Sequence, residues 1–179
     1  MRPTECLRHE HTIVLMMLQG AESTARSTGG TVDIARIEKI IDFSRNFTDR
    51  CHHTKEENHL FERLSARGMP KTAGPVAVML FEHARGRELI KEISGALSEV
   101  KGGRSEAVPV LREQLLLYVD LLRSHIMKEN NVLFPMSDRV LTDEDQVSLE
   151  RSFDEVEKME MGAGVHEKYQ EIAMEISGL

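Results

Sequence analysis

The chain has 179 residues, about the length of one ordinary domain, and with no Trp and only 4% aromatic residues its core must be built from aliphatic and Met side chains. A net charge of -7 argues against a sequence-independent grip on nucleic acid, which needs a basic face. No apolar run approaches the roughly 20 residues that cross a bilayer, and the start does not read as a cleavable signal peptide. The two cysteines are too few for a disulfide framework. We therefore expect a cytoplasmic protein that contacts neither nucleic acid nor membrane.

Gly- and Pro-containing breaks divide most of the chain into four long segments whose apolar residues recur at helical spacing. These segments span about residues 4–27, 33–67, 75–100 and 105–134. Asp33 is a typical N-cap for the second segment, and Pro75 lies in the first turn of the third. Because short connections make neighbouring helices antiparallel, we predict an all-α, up-down-up-down four-helix bundle over about residues 4–135.

The remaining residues, about 141–177, predict a short helical appendage. Thr142 with Asp145 three residues later is a capping-type start. An amphipathic stretch follows, then a break at Gly162 and Gly164, then a last helical stretch. We expect this appendage to pack on the bundle, so that residues 1–179 form a single domain.

The second and fourth segments contain the same short motif. It reads HHTKEENHLF from His52 and HIMKENNVLF from His125, so that His, Lys, Glu, Asn, Leu and Phe coincide at an offset of 73. Glu10-His11 in the first segment matches Glu82-His83 in the third at an offset of 72. The chain is therefore interpreted as two copies of one helical hairpin.

Two hairpins related by a pseudo-two-fold axis would bring matching polar residues face to face inside the bundle. The candidate metal ligands are His11, His52, Glu56, His83, His125 and Glu129. A His and a Glu four residues apart share a helix face, so each motif directs one nitrogen and one oxygen inward. Burying four imidazoles and two carboxylates is costly unless cations satisfy them. We predict a pair of metal ions bridged by the carboxylates, with iron, manganese or zinc as suitable metals. A metal-free bundle with hydrogen-bonded histidines is the alternative.

The doublets His52-His53 and Glu56-Glu57 leave a second frame open. Consecutive residues are turned by about 100° around an α-helix, so we predict that only one frame points inward. The repeat favours His52 with Glu56, and His53 with Glu57 is the alternative.

Four further residues are candidates for a supporting role: Tyr118, His59, Glu10 and Glu82. Tyr118 and His59 lie on the metal-facing side of their helices and can line a pocket, although the repeat partner of His59 is Val132, which favours a packed or half-exposed His59. Glu10 and Glu82 are turned by about 100° from the neighbouring ligands, which suits hydrogen bonds to ligands or salt bridges better than ligation.

The order His, H-x-x-x-E, His, H-x-x-x-E over about residues 5–135 resembles the hemerythrin-like family of HHE cation-binding domains. The resemblance implies a hemerythrin-like bundle with two iron ions as a non-haem cofactor, and it implies Glu56 rather than Glu57 as the ligand. Oxygen-carrying members have a second histidine on the third helix, four residues after the first, where this chain has Arg87. The set of four His and two Glu is similar to the bacterial branch that includes the iron-sulfur-cluster-repair proteins, although the separate N-terminal domain of those proteins is not expected before His11.

Two functions follow as hypotheses. The first is a di-iron protein that binds, senses or reacts with a small ligand such as O2, NO or peroxide. The second is an iron-binding or iron-sensing module, or an iron donor of the cluster-repair type, that acts through partner contacts without catalysis. The sequence identifies no catalytic residue and no protein partner, and it is compatible with a homo-oligomer.

Overall fold

The computed structural model describes residues 1–161 and 165–178, and these form helices and short connections with no strand among them. Helix α1 is Pro3–Arg26, and α2 is a continuous helix composed of Ile34–Phe43, Ser44–His53, Glu56–Leu60 and Phe61–Ala66. Helix α3 is Gly74–Lys101, and α4 is composed of Ala107–Lys128, Glu129–Leu133 and Phe134–Val140. Helix α5 is Asp143–Val156 with a further turn, Glu157–Met161, and α6 is Val165–Ser177. The prediction of an all-α bundle is confirmed.

Local sequence signals explain where the helices begin. The Asp33 side chain accepts a hydrogen bond from the Arg36 backbone N–H at 2.9 Å and caps α2. Thr142 and Asp145 form the capping box predicted for α5. The predicted break at Gly162 and Gly164, and the side chain of His166, lie outside the described residues.

Helix α4 continues beyond Pro135, where the sequence was expected to end it. It runs to Val140 because the turn that precedes Pro135, Glu129–Leu133, is a wider π-helical turn. A wider turn relieves the clash that a proline ring makes with the carbonyl four residues earlier in a regular α-helix.

Two apolar clusters divide the bundle along its length. One cluster includes Ile13, Cys51, Leu89 and Leu122, and the other includes Leu7, Leu60, Met79 and Leu133. On each of the four helices, the residues between these two sets carry His and Glu side chains. The interior therefore consists of a polar layer enclosed between two apolar layers.

The C-terminal helices pack on the bundle at both apolar clusters. Leu149 and Phe153 of α5 belong to one cluster, and Tyr169 of α6 belongs to the other. Gly20 of α1 permits the approach of α6, because a Cβ atom at this position would collide with the backbone carbonyl of Ile176. Within the described residues, no helix combines the length and apolar character needed to span a membrane.

Candidate metal centre

The six predicted ligands meet in the polar layer, one or two from each helix of the bundle. His11 lies on α1, His52 and Glu56 on α2, His83 on α3, and His125 and Glu129 on α4, and we call these residues the His/Glu cluster. Each is at most 2% exposed. The structure therefore places together, in one buried layer, residues that are up to 118 positions apart (129 minus 11) in the chain.

The histidines of the cluster form two facing pairs. The Nε2 atoms of His11 and His52 are 3.0 Å apart, and those of His83 and His125 are also 3.0 Å apart. The four imidazoles therefore form two pairs, and each pair brings two Nε2 atoms close together.

The two carboxylates lie between these pairs. Glu129 Oε2 is 3.2 Å from the Nε2 atoms of both His11 and His125, which belong to different pairs. Glu56 places Oε1 3.5 Å from His52 Nε2 and Oε2 3.4 Å from His83 Nε2. Each carboxylate thus lies within 3.5 Å of one nitrogen from each histidine pair.

The outer nitrogen of each imidazole is held by an acceptor. His52 Nδ1 donates to Glu10 Oε2 at 2.8 Å, and His125 Nδ1 donates to Glu82 Oε2 at 2.9 Å. Because an ionised carboxylate can only accept, these histidines carry a proton on Nδ1, and their Nε2 atoms face inward.

The other two histidines are held in the same way by residues for which the sequence predicted no such supporting role. His11 Nδ1 donates to Asn130 Oδ1 at 2.9 Å, and His83 Nδ1 donates to Glu57 Oε1 at 2.7 Å. Asn130 and Glu57 each follow the cluster glutamate of their motif by one residue, so the repeat contained the signal that could have found them.

The donor atoms of the cluster fit cations. All four carboxylate oxygens of Glu56 and Glu129 are buried. Among the described residues, none of these four atoms accepts a hydrogen bond. Burial opposes a charge on His125, yet the adjacent Glu129 raises the pKa of His125 to about 10. The raised pKa of His125 shows that the two buried carboxylates favour positive charge between themselves and the Nε2 atoms, and either protons or cations can supply it.

His53 corrects the expectation that only one histidine of the doublet points inward. It is 4% exposed, its ring stacks on that of His83 at a centroid distance of 3.8 Å, and one ring nitrogen lies within 4.8 Å of donor atoms of Glu56, His83 and His125. Residues Ser44–His53 form a π-helix, in which each residue advances by a smaller angle than in an α-helix, so that His52 and His53 both face the bundle interior. Burial, together with the neighbouring imidazoles, lowers the pKa of His53 well below its usual value and keeps the ring neutral.

Glu57 does not join the cluster with His53, as the alternative frame required. Its carboxylate is half-buried, and besides His83 it accepts a hydrogen bond from Arg87 Nη2 at 2.7 Å. Arg87 also binds Asp49, whose Oδ1 lies 3.2 Å from His53 Nδ1. Arg87 therefore holds the carboxylates that contact the Nδ1 atoms of His53 and His83.

A buried lysine supports Glu10. Lys55 is 0% exposed, and its Nζ binds Glu10 Oε1 and, at 2.6 Å, Glu157 Oε1 from the C-terminal segment. Burial opposes ionisation of Glu10, but the hydrogen bond from His52 and the charge of Lys55 lower the pKa of Glu10 to about 2. Cys6, Glu10 and Glu157 are close enough together to suggest a further cation site, but the Lys55 ammonium already pairs with both carboxylates.

Tyr118 and His59 lie outside the cluster. Tyr118 is buried and lines a cavity with His53. His59 is half-buried in a surface groove with Ser148 and Ser152 of α5, and burial lowers its pKa. Of the two, only Tyr118 lies beside the polar layer.

These observations define a class: a helical-bundle protein with a buried group of imidazoles and carboxylates that could hold metal ions. The family model of the hemerythrin HHE cation binding domain matches residues 2–137, which is well over half of the chain. The chain therefore belongs to the hemerythrin HHE cation-binding family. A search of curated proteins found no match.

Proposed function

We propose that the chain holds a non-haem pair of iron ions through the His/Glu cluster and that this centre binds, senses or reacts with a small ligand such as O2, NO or peroxide. The observation that carries the proposal is the set of four buried carboxylate oxygens without partners between two inward-facing pairs of imidazoles. Mixed imidazole and carboxylate donors suit iron, and manganese or zinc are the expected substitutes.

In this proposal His11 and His52 would hold one ion and His83 and His125 the other, and Glu56 and Glu129 would be shared by both. His53 offers a fifth nitrogen on the side of His83 and His125, so the two ions have unequal surroundings. When bound, a pair of iron ions would supply two adjacent redox-active cations.

The residues around the cluster orient its side chains and limit the access of bulk water. Glu10, Glu82, Asn130 and Glu57 fix the tautomers of the histidines, and the two apolar layers exclude bulk water. Arrangements of this kind raise the strength of electrostatic interactions at the metals because the local dielectric constant is low.

Elemental analysis of protein purified without added metal or chelator tests the proposal. We expect close to two iron ions per chain and an absorption spectrum of the ferric protein that changes when azide is added. Protein that contains no metal after purification from an iron-sufficient culture would contradict metal binding. An iron-containing protein whose spectrum does not change with azide would contradict ligand access.

A second candidate function is iron sensing through the C-terminal segment, and one contact favours it. Glu157 binds Lys55, Lys55 binds Glu10, and Glu10 binds His52, so a continuous polar chain joins the segment after α5 to the cluster. The repeat counterpart, Lys128 with Glu82 and His125, has the same two contacts. A partner that recognises this segment would then respond to iron.

Hydrogen exchange distinguishes the two functions. Sensing requires that iron removal lowers the protection of α5 and that Glu157→Gln weakens this coupling. Asp154→Asn, at an exposed position of the same helix, is the matched control. Identical protection of α5 with and without iron would reject the sensing function.

A further inference from the structure

A cavity of about 270 Å3 lies beside the His/Glu cluster, between α2, α3 and α4, and it is open to solvent on one side. Its lining includes Ser44, Thr48, His53, Gly86, Tyr118 and Leu122. At roughly 30 Å3 for each water-sized group, it holds about nine non-hydrogen atoms, which is far more than a diatomic molecule needs.

The deep end of the cavity contains buried hydroxyl groups that need partners. Ser44 and Thr48 are 2% and 3% exposed, and neither hydroxyl oxygen has a close hydrogen-bond partner in the part of the chain that the structure describes. Burial raises the pKa of Tyr118, and weak hydrogen bonding from these two hydroxyls only partly offsets that effect. The hydroxyl-bearing Tyr118 lines the same space. Buried polar atoms of this kind are normally satisfied, so the deep end is suited to a ligand group that accepts or donates hydrogen bonds.

The mouth of the cavity carries more positive than negative charge. Arg87 pairs with two carboxylates, those of Asp49 and Glu57, so these three groups together leave one negative charge. Arg45 binds only the Ser94 hydroxyl, at 2.8 Å, and neither Arg45 nor Lys91 forms an ion pair within the described ranges 1–161 and 165–178. Two exposed cations thus remain available to an anion.

The middle of the cavity is apolar. Ile90 and Leu122 form its walls, and Gly86 contributes no side chain. Among the described residues outside its own helix turn, a Cβ atom built at Gly86 would have one neighbour within 4 Å, Tyr118 Cε2 at 4.0 Å, so a larger side chain would extend into the cavity.

We propose that this cavity binds a small organic monoanion of about ten non-hydrogen atoms. Its negative group pairs with Arg45 and Lys91, its apolar body lies between Ile90 and Leu122, and a polar group at its other end bonds the hydroxyls of the deep end. This ligand lies against the outer side of His53, and its binding does not depend on the proposed reaction at the metals.

Calorimetric titration of the purified, metal-containing protein tests the proposal with three probes. The probes are 4-hydroxybenzoate, benzoate, which lacks the hydroxyl, and 4-hydroxybenzamide, which is a neutral analogue of the same shape. We expect benzoate to bind about fivefold more weakly and 4-hydroxybenzamide at least about tenfold more weakly than 4-hydroxybenzoate, because one hydrogen bond and one charge-assisted contact are lost respectively. Equal affinities of the acid and the amide would overturn the proposal.

Two variants locate the bound probe. Gly86→Leu fills the cavity and should abolish binding of 4-hydroxybenzoate, and Lys91→Gln should weaken it severalfold. Lys101→Gln is the matched control, because Lys101 lies on the same helix but pairs with Glu38 away from the cavity. Metal content and thermal melting of each variant show that the fold and the cluster are intact.

A metal-depleted variant, Glu56→Ala, separates this site from the metals. Binding that persists in Glu56→Ala and disappears in Gly86→Leu supports the cavity, whatever the outcome for the proposed function. Binding that disappears in Glu56→Ala and survives in Gly86→Leu places the probe on the metals and overturns the proposal.

Discussion

Replacing Glu129 by alanine should remove the metal pair more completely than replacing any single histidine. Glu129 is 0% exposed, and its Oε2 atom lies 3.2 Å from nitrogens of both histidine pairs. In the proposed centre both ions therefore lose an oxygen ligand, whereas His11→Ala removes one nitrogen from one ion.

The magnitude follows from the charges that Glu129 separates. Two divalent ions about 4 Å apart repel each other by roughly 16 kcal/mol at an effective dielectric constant of about 20, and the two carboxylates offset this repulsion. Loss of one carboxylate removes about half of the compensation. Even half of that loss, about 4 kcal/mol, lowers the affinity for the second ion about a thousandfold.

The assay is metal content at equilibrium with a competing chelator, with helical content measured by circular dichroism on the same samples. We expect about two ions in the unchanged protein, at most one weakly held ion in Glu129→Ala, and an intermediate loss in His11→Ala. Glu62→Ala, at an exposed carboxylate of α2, is the control and should retain both ions. Two ions bound to Glu129→Ala with undiminished affinity would refute the bridging position of this carboxylate.

Four further outcomes are expected. Chelation should lower the melting temperature by about 10 °C or more. At least four buried carboxylate oxygens would lose their metal partners, and each loss should lower the free energy of unfolding by about 1 kcal/mol or more. An unchanged melting curve would contradict this prediction. His53→Ala should weaken one of two resolved binding steps in a metal titration by about tenfold or more, whereas equal loss from both steps would argue against its position on one side. Gly20→Ala should destabilise the chain and expose α6 to proteolysis, because the new Cβ atom would collide with the backbone of Ile176. Gly95→Ala is the control: a Cβ atom there meets nothing within 4 Å outside its own helix turn, so this variant should raise the free energy of unfolding by about 0.5–1 kcal/mol. Hydrogen bonds from Arg67 lower the pKa of Asp145 from 3.8 to about 2, so its contribution to stability is present above pH 3.8 and is lost as the pH falls toward 2; acid titration of Asp145→Asn should lack this loss.

The residues that determine helices and their order could be recognised in the sequence. Caps such as Asp33 and Thr142 act on their own helix ends, and the spacing of apolar residues is a local property, so neither depends on distant contacts. The repeat extended this local information across the chain, because matching positions of two similar hairpins must occupy equivalent places. In this way the sequence alone brought His52 and His125 into the same predicted layer, where the structure also places them.

Other features were decided only by the tertiary structure. The inward direction of both His52 and His53 depends on π-helical hydrogen bonding, which the spacing of apolar residues does not predict. The contact of Lys55 with Glu157 joins residues that are 102 positions apart, and no repeat or spacing relates them. A cavity likewise belongs to no single helix, since the walls beside Tyr118 come from three of them. Sequence patterns determined which side chains face inward, but only the packed bundle determined which atoms meet, because those distances depend on how separate helices are positioned against each other.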